Sequence, residues 1–328
     1  MTSRRSFVIA GAALSAFAAA PRLAARAAGL DQIGIDYAYY NPPSLILKQQ
    51  GWLEEALAKN GTKVNWVLSL GSNKANGFLT ANAIQFGSTA GSAALLARAN
   101  GSPIKTVFLY SRPEWTALVV GKDSPLKSVT DLKGKKVAAT RGTDPWFFLI
   151  RSLRKNGLDI GDIELIDLQH PDGRVALERG QVDAWAGLDP HMAAAQLDDG
   201  ARLLHRNPEF NTFGALNARE DFLASNPETV AIVLRQYERA RRYAIAHPEE
   251  TAKIVSEASH LELRVTAVQI LQRTQYPDPV PGASYRDAIG GVVPIVRSEK
   301  LIANAVGLEA VVPALIDPGP ARAALKGA

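Results

Sequence analysis

A chain of 328 residues with 47% apolar and 21% charged side chains has the composition of a globular protein of about two domains. It contains no cysteine, which excludes disulfides, zinc–thiolate sites, iron–sulfur clusters and thiol nucleophiles. The formal net charge of +5 includes four arginines and no acid within the first 28 residues, so the rest of the chain carries +1 (5 − 4). This small excess, without a basic run interleaved with aromatics, argues against a nucleic-acid-binding protein.

The first 28 residues have the pattern of an export signal. Two arginines precede an apolar run over residues 7–20, and small residues follow near a predicted cleavage site at Ala27-Ala28. The segment SRRSFV is typical of the twin-arginine route, and the apolar run is shorter than the roughly 20 residues of a membrane span. The sequence therefore predicts a twin-arginine signal peptide over residues 1–28 and a mature protein in the periplasm.

Strand-like and helix-like segments alternate after this leader. Short apolar runs predict strands, and apolar residues at helical spacing predict the helices between them. In the first block the strands are at 32–36, 64–68, 83–87 and 104–110, and the helices at 42–59, 73–82 and 93–100. In the second block the strands are at 116–120, 136–140, 163–168, 182–186 and 201–205, and the helices at 144–156, 172–179 and 190–199. A helical tail begins near residue 221 and contains an amphipathic helix over 227–246.

This alternation predicts an α/β fold with two lobes, each a mainly parallel sheet flanked by helices. The first lobe comprises residues 29–114 together with 217–328, because the helical tail packs back on the first block. The second lobe comprises residues 115–216. Two crossings between the lobes, near Trp115 and near residues 212–216, form a hinge that lets the lobes close around a ligand.

Four loops follow strands of the two predicted sheets, at the edge where α/β proteins bind ligands. Small hydroxyl residues and glycines at the helix starts favour an anion, because free backbone N–H groups and the helix dipole point there. The same residue types also cap helices, and this alternative stays open. Aromatic side chains in these loops are candidates for a wall around an organic group. The candidate ligand-binding residues are Tyr40, Asn41, Ser88, Thr89, Ser92, Trp115, Arg141, Gly142, Thr143, Trp146 and Asp189.

No catalytic motif is visible in the chain. It lacks the G-x-S-x-G elbow, the G-x-G-x-x-G fingerprint and the P-loop, and its five histidines are scattered without metal-ligand spacing. A catalytic carboxylate pair among Asp144, Asp183 and Asp189 stays open, because sequence does not reveal spatial neighbours. The pattern favours a binding protein without metal or cofactor over an enzyme.

Four segments carry a resemblance to a known family. Residues 83–107, 122–158, 174–195 and 222–255 resemble periplasmic substrate-binding proteins of ABC importers, in the group for aliphatic sulfonates, taurine and nitrate. The resemblance implies a type II-like periplasmic-binding-protein fold and a small anionic ligand of the sulfonate class, held between the lobes without turnover. It also implies no cofactor, a monomer, and the membrane subunits of an ABC importer as partner.

Several ligands and one other function stay open within this resemblance. The ligand alternatives are nitrate, taurine, an aromatic sulfonate and a thiamine-pyrimidine precursor. The functional alternative is an enzyme on the same scaffold. Thiamine-pyrimidine synthases share this scaffold but depend on a cysteine-rich motif, which this chain lacks.

Two features depart from the family pattern. Loops matching residues 88–92 and 141–144 hold the anionic head in sulfonate binders, yet here Asp144 follows Thr143. A carboxylate facing the cleft would repel a sulfonate or pair with an amine such as that of taurine. The alternative is that Asp144 caps the next helix, with a proline at the first helical position. The loop over residues 39–43 is also bulkier than the resemblance leads one to expect.

Overall fold

The structure, a computed structural model, describes residues 30–302 and 307–326. The predicted leader over residues 1–28 lies outside the described residues. Within the described ranges, no helix combines the length and the apolar character needed to cross a membrane.

Strands and helices alternate along the described chain, as the sequence predicts. The strands are β1 (Gln32–Tyr37), β2 (Lys63–Leu68), β3 (Phe86–Ala90), β4 (Ile104–Ser111), β5 (Leu118–Val120), β6 (Lys136–Ala139), β7 (Glu164–Asp167), β8 (Ala184–Ala186), β9 (Arg202–His205) and β10 (Gly214–Arg219). The helices are α1 (Pro42–Gln50), α2 (Trp52–Ala58), α3 (Ser72–Thr80), α4 (Gly91–Ala99), α5 (Asp144–Lys155), α6 (His170–Glu178), α7 (His191–Leu197), α8 (Glu220–Ser225), α9 (Pro227–Ala246), α10 (Pro248–Ser259), α11 (Leu263–Ala267), α12 (Ala283–Gly290), α13 (Val293–Ser298), α14 (Leu308–Leu315) and α15 (Gly319–Ala324).

Two five-stranded sheets form two lobes, and we call each sheet with its flanking helices a lobe. The first sheet has the strand order β2-β1-β3-β10-β4, and the second has the order β7-β6-β8-β5-β9. In the first sheet β10 is antiparallel to both of its neighbours, and in the second sheet β5 is. The other pairings are parallel, so four of the five strands in each sheet run in the same direction, and the predicted α/β fold with two mainly parallel sheets is confirmed.

The two antiparallel strands each follow a crossing of the chain between the sheets. The sequence places the second crossing over residues 212–216, but β10 begins at Gly214, so residues 214–216 lie in the first sheet. The strand enters between β3 and β4, which are its neighbours on the two sides. The lobe division at residues 114 and 216 stays a proposal, and the sheet pairing places the return of the chain to the first sheet three residues earlier, at 214 instead of 217.

The third strand lies three residues later than the sequence predicts. The apolar run favours residues 83–87, whereas β3 spans Phe86–Ala90 and pairs with β10 along its length. Ser88 and Thr89 therefore lie inside a fully buried strand and not in the loop that follows it. Hydroxyl side chains made this segment resemble a loop. The antiparallel partner of the strand is more than 120 residues away in sequence, so no local pattern predicts the pairing.

The first predicted helix is two helices. The apolar spacing over residues 42–59 predicts one continuous helix, but α1 and α2 are separated by Gly51 at a φ of 64°. Glycine adopts this left-handed conformation without the steric cost of a Cβ atom, so it ends the first helix there.

The long amphipathic helix α9 is confirmed at residues 227–246, and it packs on the first lobe. Its buried face includes Val233, Leu234 and Tyr237, which join the core beneath the first sheet. Glu238 on the same helix is buried and pairs with Arg241 at 2.7 Å. The tail thus supplies part of the core of the first lobe.

A contact between α6 and the second sheet gives a test of this packing. A Cβ atom added to Gly173 would lie 2.5 Å from Nε1 of the fully buried Trp185, whereas one added to Gly77, in α3, meets nothing within 4 Å. We expect Gly173→Ala to lower the free energy of unfolding by about 1–3 kcal/mol through overpacking. Gly77→Ala should raise it by about 0.5–1 kcal/mol, because alanine favours the helix.

Urea unfolding of the two variants beside the wild-type chain measures both effects. Equal stabilisation by the two alanines would contradict the packing of α6 on Trp185.

Candidate functional site

The carboxyl ends of the strands of the two sheets face each other across a closed cleft. A small apolar cluster spans the gap, with Ala38, Tyr40 and Ala90 from the first lobe against Trp115 and Leu188. The Tyr40 and Trp115 rings meet edge to face, with centroids 6.1 Å apart. Aromatic edge-to-face contacts of this kind hold two surfaces together and also form apolar walls for organic groups.

A cavity of about 10 Å³ remains at the centre of this cleft. That volume accommodates roughly one water molecule, far less than the several hundred Å³ of a small-molecule site, so a larger ligand requires the lobes to separate. Among its lining atoms, Ser111 Oγ and Gln269 Oε1 are buried without a hydrogen-bond partner within the described residues. The lining residues are Tyr40, Ser111, Pro113, Trp115, Asp189, Gln269, Arg273 and Thr274.

Asp144 lies beside this cavity as the first residue of α5, and its carboxylate is buried. Oδ1 accepts from Ser92 Oγ at 2.6 Å and from Thr212 Oγ1 at 2.8 Å. Oδ2 accepts from the Thr212 N–H at 2.7 Å and from Trp115 Nε1 at 2.9 Å. The expectation that Asp144 caps α5 is wrong, because Thr143 occupies the cap position and the Asp144 oxygens bind groups outside the helix.

A buried ion pair closes the cleft on the other side of Trp115. Arg273 Nη1 lies 2.9 Å and 3.1 Å from the two carboxylate oxygens of Asp189, and the Ala193 N–H donates to the same carboxylate at 3.0 Å. Arg273 also donates to Gln196. Burial raises the pKa of Asp189 to about 6, while the neighbouring guanidinium acts in the opposite direction. The pair joins the second lobe to the segment that follows α11.

The predicted hydroxyl loop of the first lobe is occupied by internal bonds. Ser88 Oγ donates to both oxygens of Asp36 at 2.9 Å, and Thr89 Oγ1 donates to the Ala90 carbonyl at 2.9 Å. Burial raises the pKa of Asp36 to about 7. These two hydroxyls therefore serve the interior of the first lobe in this structure.

Asn41 and Thr143 also have local partners. Asn41 Oδ1 accepts from the Ser44 N–H at the start of α1, so this side chain caps the helix. Thr143 Oγ1 donates to the Thr140 carbonyl at 2.6 Å.

Three further candidates lie away from the central cavity. Arg141 is exposed and its side chain lies 4.0 Å from Asp167. Gly142, at a φ of 73°, lines a separate groove beside α3 and α4. Trp146 packs in the apolar core with Phe147 at a centroid distance of 5.0 Å.

Of the eleven predicted residues, the structure brings four to the centre of the cleft. Tyr40, Trp115 and Asp189 line the cavity, and Ser92 joins them through its bond to Asp144. The roles of all eleven in binding stay predictions.

Sequence reasoning missed Arg273, Thr212, Gln269 and Ser111. Arg273 is the only arginine or lysine among the residues lining the cavity, yet it lies in a tail segment that has no strand–loop–helix pattern. Of these four residues, only Thr212 could have been found from the sequence, because it lies at the predicted hinge.

Comparison with known proteins identifies the family. The sequence model described as NMT1/THI5 like matches residues 43–251. The chain belongs to this family. The resemblance to substrate-binding proteins that the sequence indicates is thereby confirmed.

Several of the similar proteins are named for sulfonate binding. A Bacillus subtilis protein named for aliphatic sulfonate binding is 29% identical, covering 71% of this chain and 71% of its own length. An Escherichia coli protein of the same name is 30% identical, covering 63% of this chain and 65% of its own length. The alkanesulfonate-binding protein SsuA of Xanthomonas axonopodis pv. citri, solved with MOPS bound, has a TM-score of 0.78 at 25% identity, covering 89% and 99% of the two chains.

Two arginines allow a matched test of the ion pair in the cleft. Arg273 is 8% exposed and pairs with the buried Asp189, whereas Arg264 is 49% exposed and pairs with Glu262 and, across the lobes, with Asp198. Arg273→Ala leaves a buried carboxylate unpaired and should lower the free energy of unfolding by roughly 3–5 kcal/mol. Arg264→Ala removes a solvated pair and should cost about 0–1 kcal/mol. Urea unfolding at pH 7.5 measures the difference, and equal losses would contradict a buried pair.

The raised pKa of Asp36 predicts a pH-dependent effect on stability. Its pKa moves from 3.8 to about 7 on folding, so between those values the folded chain keeps a proton that the unfolded chain has lost. The contribution of Asp36 to the free energy of unfolding therefore falls as pH rises through this window and is constant above it. An asparagine side chain at this position does not titrate, so the stability of Asp36→Asn relative to wild type should rise across the same window.

Urea unfolding at four values from pH 4.5 to 8 measures this trend. The exposed Asp123→Asn variant is the control and should show no such trend. A stability difference for Asp36→Asn that does not vary with pH would refute the predicted titration.

Proposed function

We propose that the chain is an extracytoplasmic solute-binding protein that delivers an aliphatic sulfonate or similar small organic anion to an ABC importer. The ligand would be held between the two lobes and released unchanged. The predicted leader would export the chain to the periplasm, where it would act as a monomer with the membrane subunits of the importer. No cofactor or metal takes part.

The observation that carries this proposal is the chemistry of the cleft. The facing strand ends present an indole N–H and hydroxyl groups beside two aromatic rings, and the tail adds the buried guanidinium of Arg273. Charged oxygen acceptors match these donors, and an alkyl or aryl tail matches the rings of Tyr40 and Trp115. The family membership and the names of the relatives support the same ligand class.

The proposed cycle depends on differential binding to open and closed states. A ligand that contacts both lobes stabilises the closed arrangement by as much as it prefers that arrangement. Arg273, Trp115 and Thr212 lie near the hinge side of the cleft and would contact the anionic head. Tyr40 would cover the tail. The importer would recognise the closed form.

A ligand screen with a cavity-filling variant tests this proposal. The panel holds alkanesulfonates of increasing chain length, taurine, aromatic sulfonates, sulfate, nitrate and thiamine pyrimidines. A ligand at a hundred times its dissociation constant should raise the free energy of unfolding of the mature chain by about 2.7 kcal/mol. Thr274→Trp adds an indole to the lining of a closed cavity that is too small to hold it, so the lobes should fail to close on a ligand and this rise should be abolished.

The control is Thr130→Trp, which makes the same substitution on the exposed surface of the second lobe and should bind like wild type. Stabilisation by nitrate or a pyrimidine alone would replace the sulfonate by another ligand class. Equal binding by Thr274→Trp and wild type would place the ligand outside this cleft.

A further inference from the structure

Apart from the Arg273 guanidinium, the donors that an anion would meet in the cleft are already bound to one side chain of the protein. The Asp144 carboxylate accepts four hydrogen bonds, from Ser92, from Trp115 and twice from Thr212, at 2.6–2.9 Å. A carboxylate with two bonds on each oxygen is close to saturated. Trp115 Nε1 has a single hydrogen and the Thr212 N–H has one, so neither can serve a second acceptor at full strength.

The four donors and their acceptor come from different parts of the molecule. Ser92 lies in the first turn of α4 in the first lobe, and Thr212 adjoins it, since the Gly91 N–H donates to the Phe213 carbonyl at 3.0 Å. Asp144 belongs to α5 of the second lobe, whose next residues are buried in the core. Separation of the lobes would therefore withdraw the carboxylate and leave the Ser92 and Thr212 donors facing the cleft.

An external sulfonate and the Asp144 carboxylate would both act as anionic acceptors for these donors. Both are anions that accept charge-assisted hydrogen bonds, and two anions sharing one buried site repel each other strongly. A side chain attached to the protein acts at an effective concentration of about millimolar or more. A bare inorganic anion gains only these donors and a share of Arg273 when it displaces Asp144, whereas an organic sulfonate also gains the contacts of its tail.

We propose that Asp144 is a specificity-determining residue, an internal carboxylate that competes with the anionic head of the ligand for Ser92, Thr212 and Trp115. This inference rests on the proposed function. It deepens that function by predicting the ligand class, because only anions with an organic tail that reaches Tyr40 displace Asp144. Small inorganic anions are excluded by the competition.

The test compares Asp144→Asn with wild type by isothermal titration. Asparagine keeps the shape of the side chain and removes its charge. We expect hexanesulfonate to bind the variant about tenfold or more tightly than wild type, since the removal of like-charge repulsion outweighs the loss of one carboxylate oxygen as an acceptor. Nitrate and sulfate, without detectable binding to wild type, should bind the variant. The charge-matched control Asp123→Asn, on the exposed surface of the same lobe, should bind like wild type.

The possible outcomes distinguish a failure of this inference from a failure of the proposed function. Tighter binding to the variant supports both when wild type also binds the sulfonate. Binding of anions by the variant alone supports the competition while refuting a sulfonate as the natural ligand. Equal or weaker binding to the variant refutes the competition while the proposed function stands. Absence of anion binding by both proteins refutes both.

If Asp144→Asn does not fold, a second variant and one structural measurement still test the inference. Asp144→Ser replaces the carboxylate with a short neutral hydroxyl and should follow Asp144→Asn. A crystal structure of the wild-type complex should show the Asp144 oxygens displaced from Trp115 Nε1 by the ligand head. Retention of that hydrogen bond beside a bound sulfonate would overturn the inference.

Discussion

A buried carboxylate is costly unless hydrogen-bond donors replace the water it has lost, and the cleft of this protein supplies such donors to Asp144. Asp144 obtains four bonds only because the first helix turn of one lobe, the first helix turn of the other and the two crossings meet at a single point. Any shift of α5 relative to α4 would break several of these bonds together. The closed arrangement of the lobes thus depends on this buried carboxylate, together with the Asp189–Arg273 pair and the apolar contacts of Tyr40 with Trp115.

Asp189 meets the same requirement in a different way, and the difference matters for binding. Its partner Arg273 carries a full charge, so the pair is neutral and its strength depends on both members staying buried. The four hydrogen-bond donors of Asp144 are all neutral groups. An incoming anion can therefore share Arg273 with Asp189, but it must replace Asp144 at its donors. Asp144 thus opposes anion binding more strongly than Asp189 does.

Local patterns in the sequence were enough for the alternation of strands and helices, the long helix α9 and the edge at which the cleft lies. They failed where partners are distant in the chain. β10 enters between β3 and β4, and its pairing decides that Ser88 and Thr89 lie in a strand. Arg273 reaches Asp189 across 84 positions, which no spacing rule anticipates.

The misplaced candidates share a physical cause. Hydroxyl residues at strand ends are equally suited to ligands and to backbone groups one to three residues away, and Thr143 and Thr89 bind the latter. Polar groups that the fold buries but does not satisfy are further candidates for ligand contact. Ser111 Oγ and Gln269 Oε1 are such groups in the cavity lining, although neither lies in a loop that sequence patterns favour. Because an unsatisfied buried polar group costs free energy, a ligand that satisfies it gains that amount on binding. Ser111 Oγ can donate to an anion, which gives it a stronger claim to contact with the anionic head than Ser88, whereas Gln269 Oε1 only accepts and would bind a donor group of the ligand.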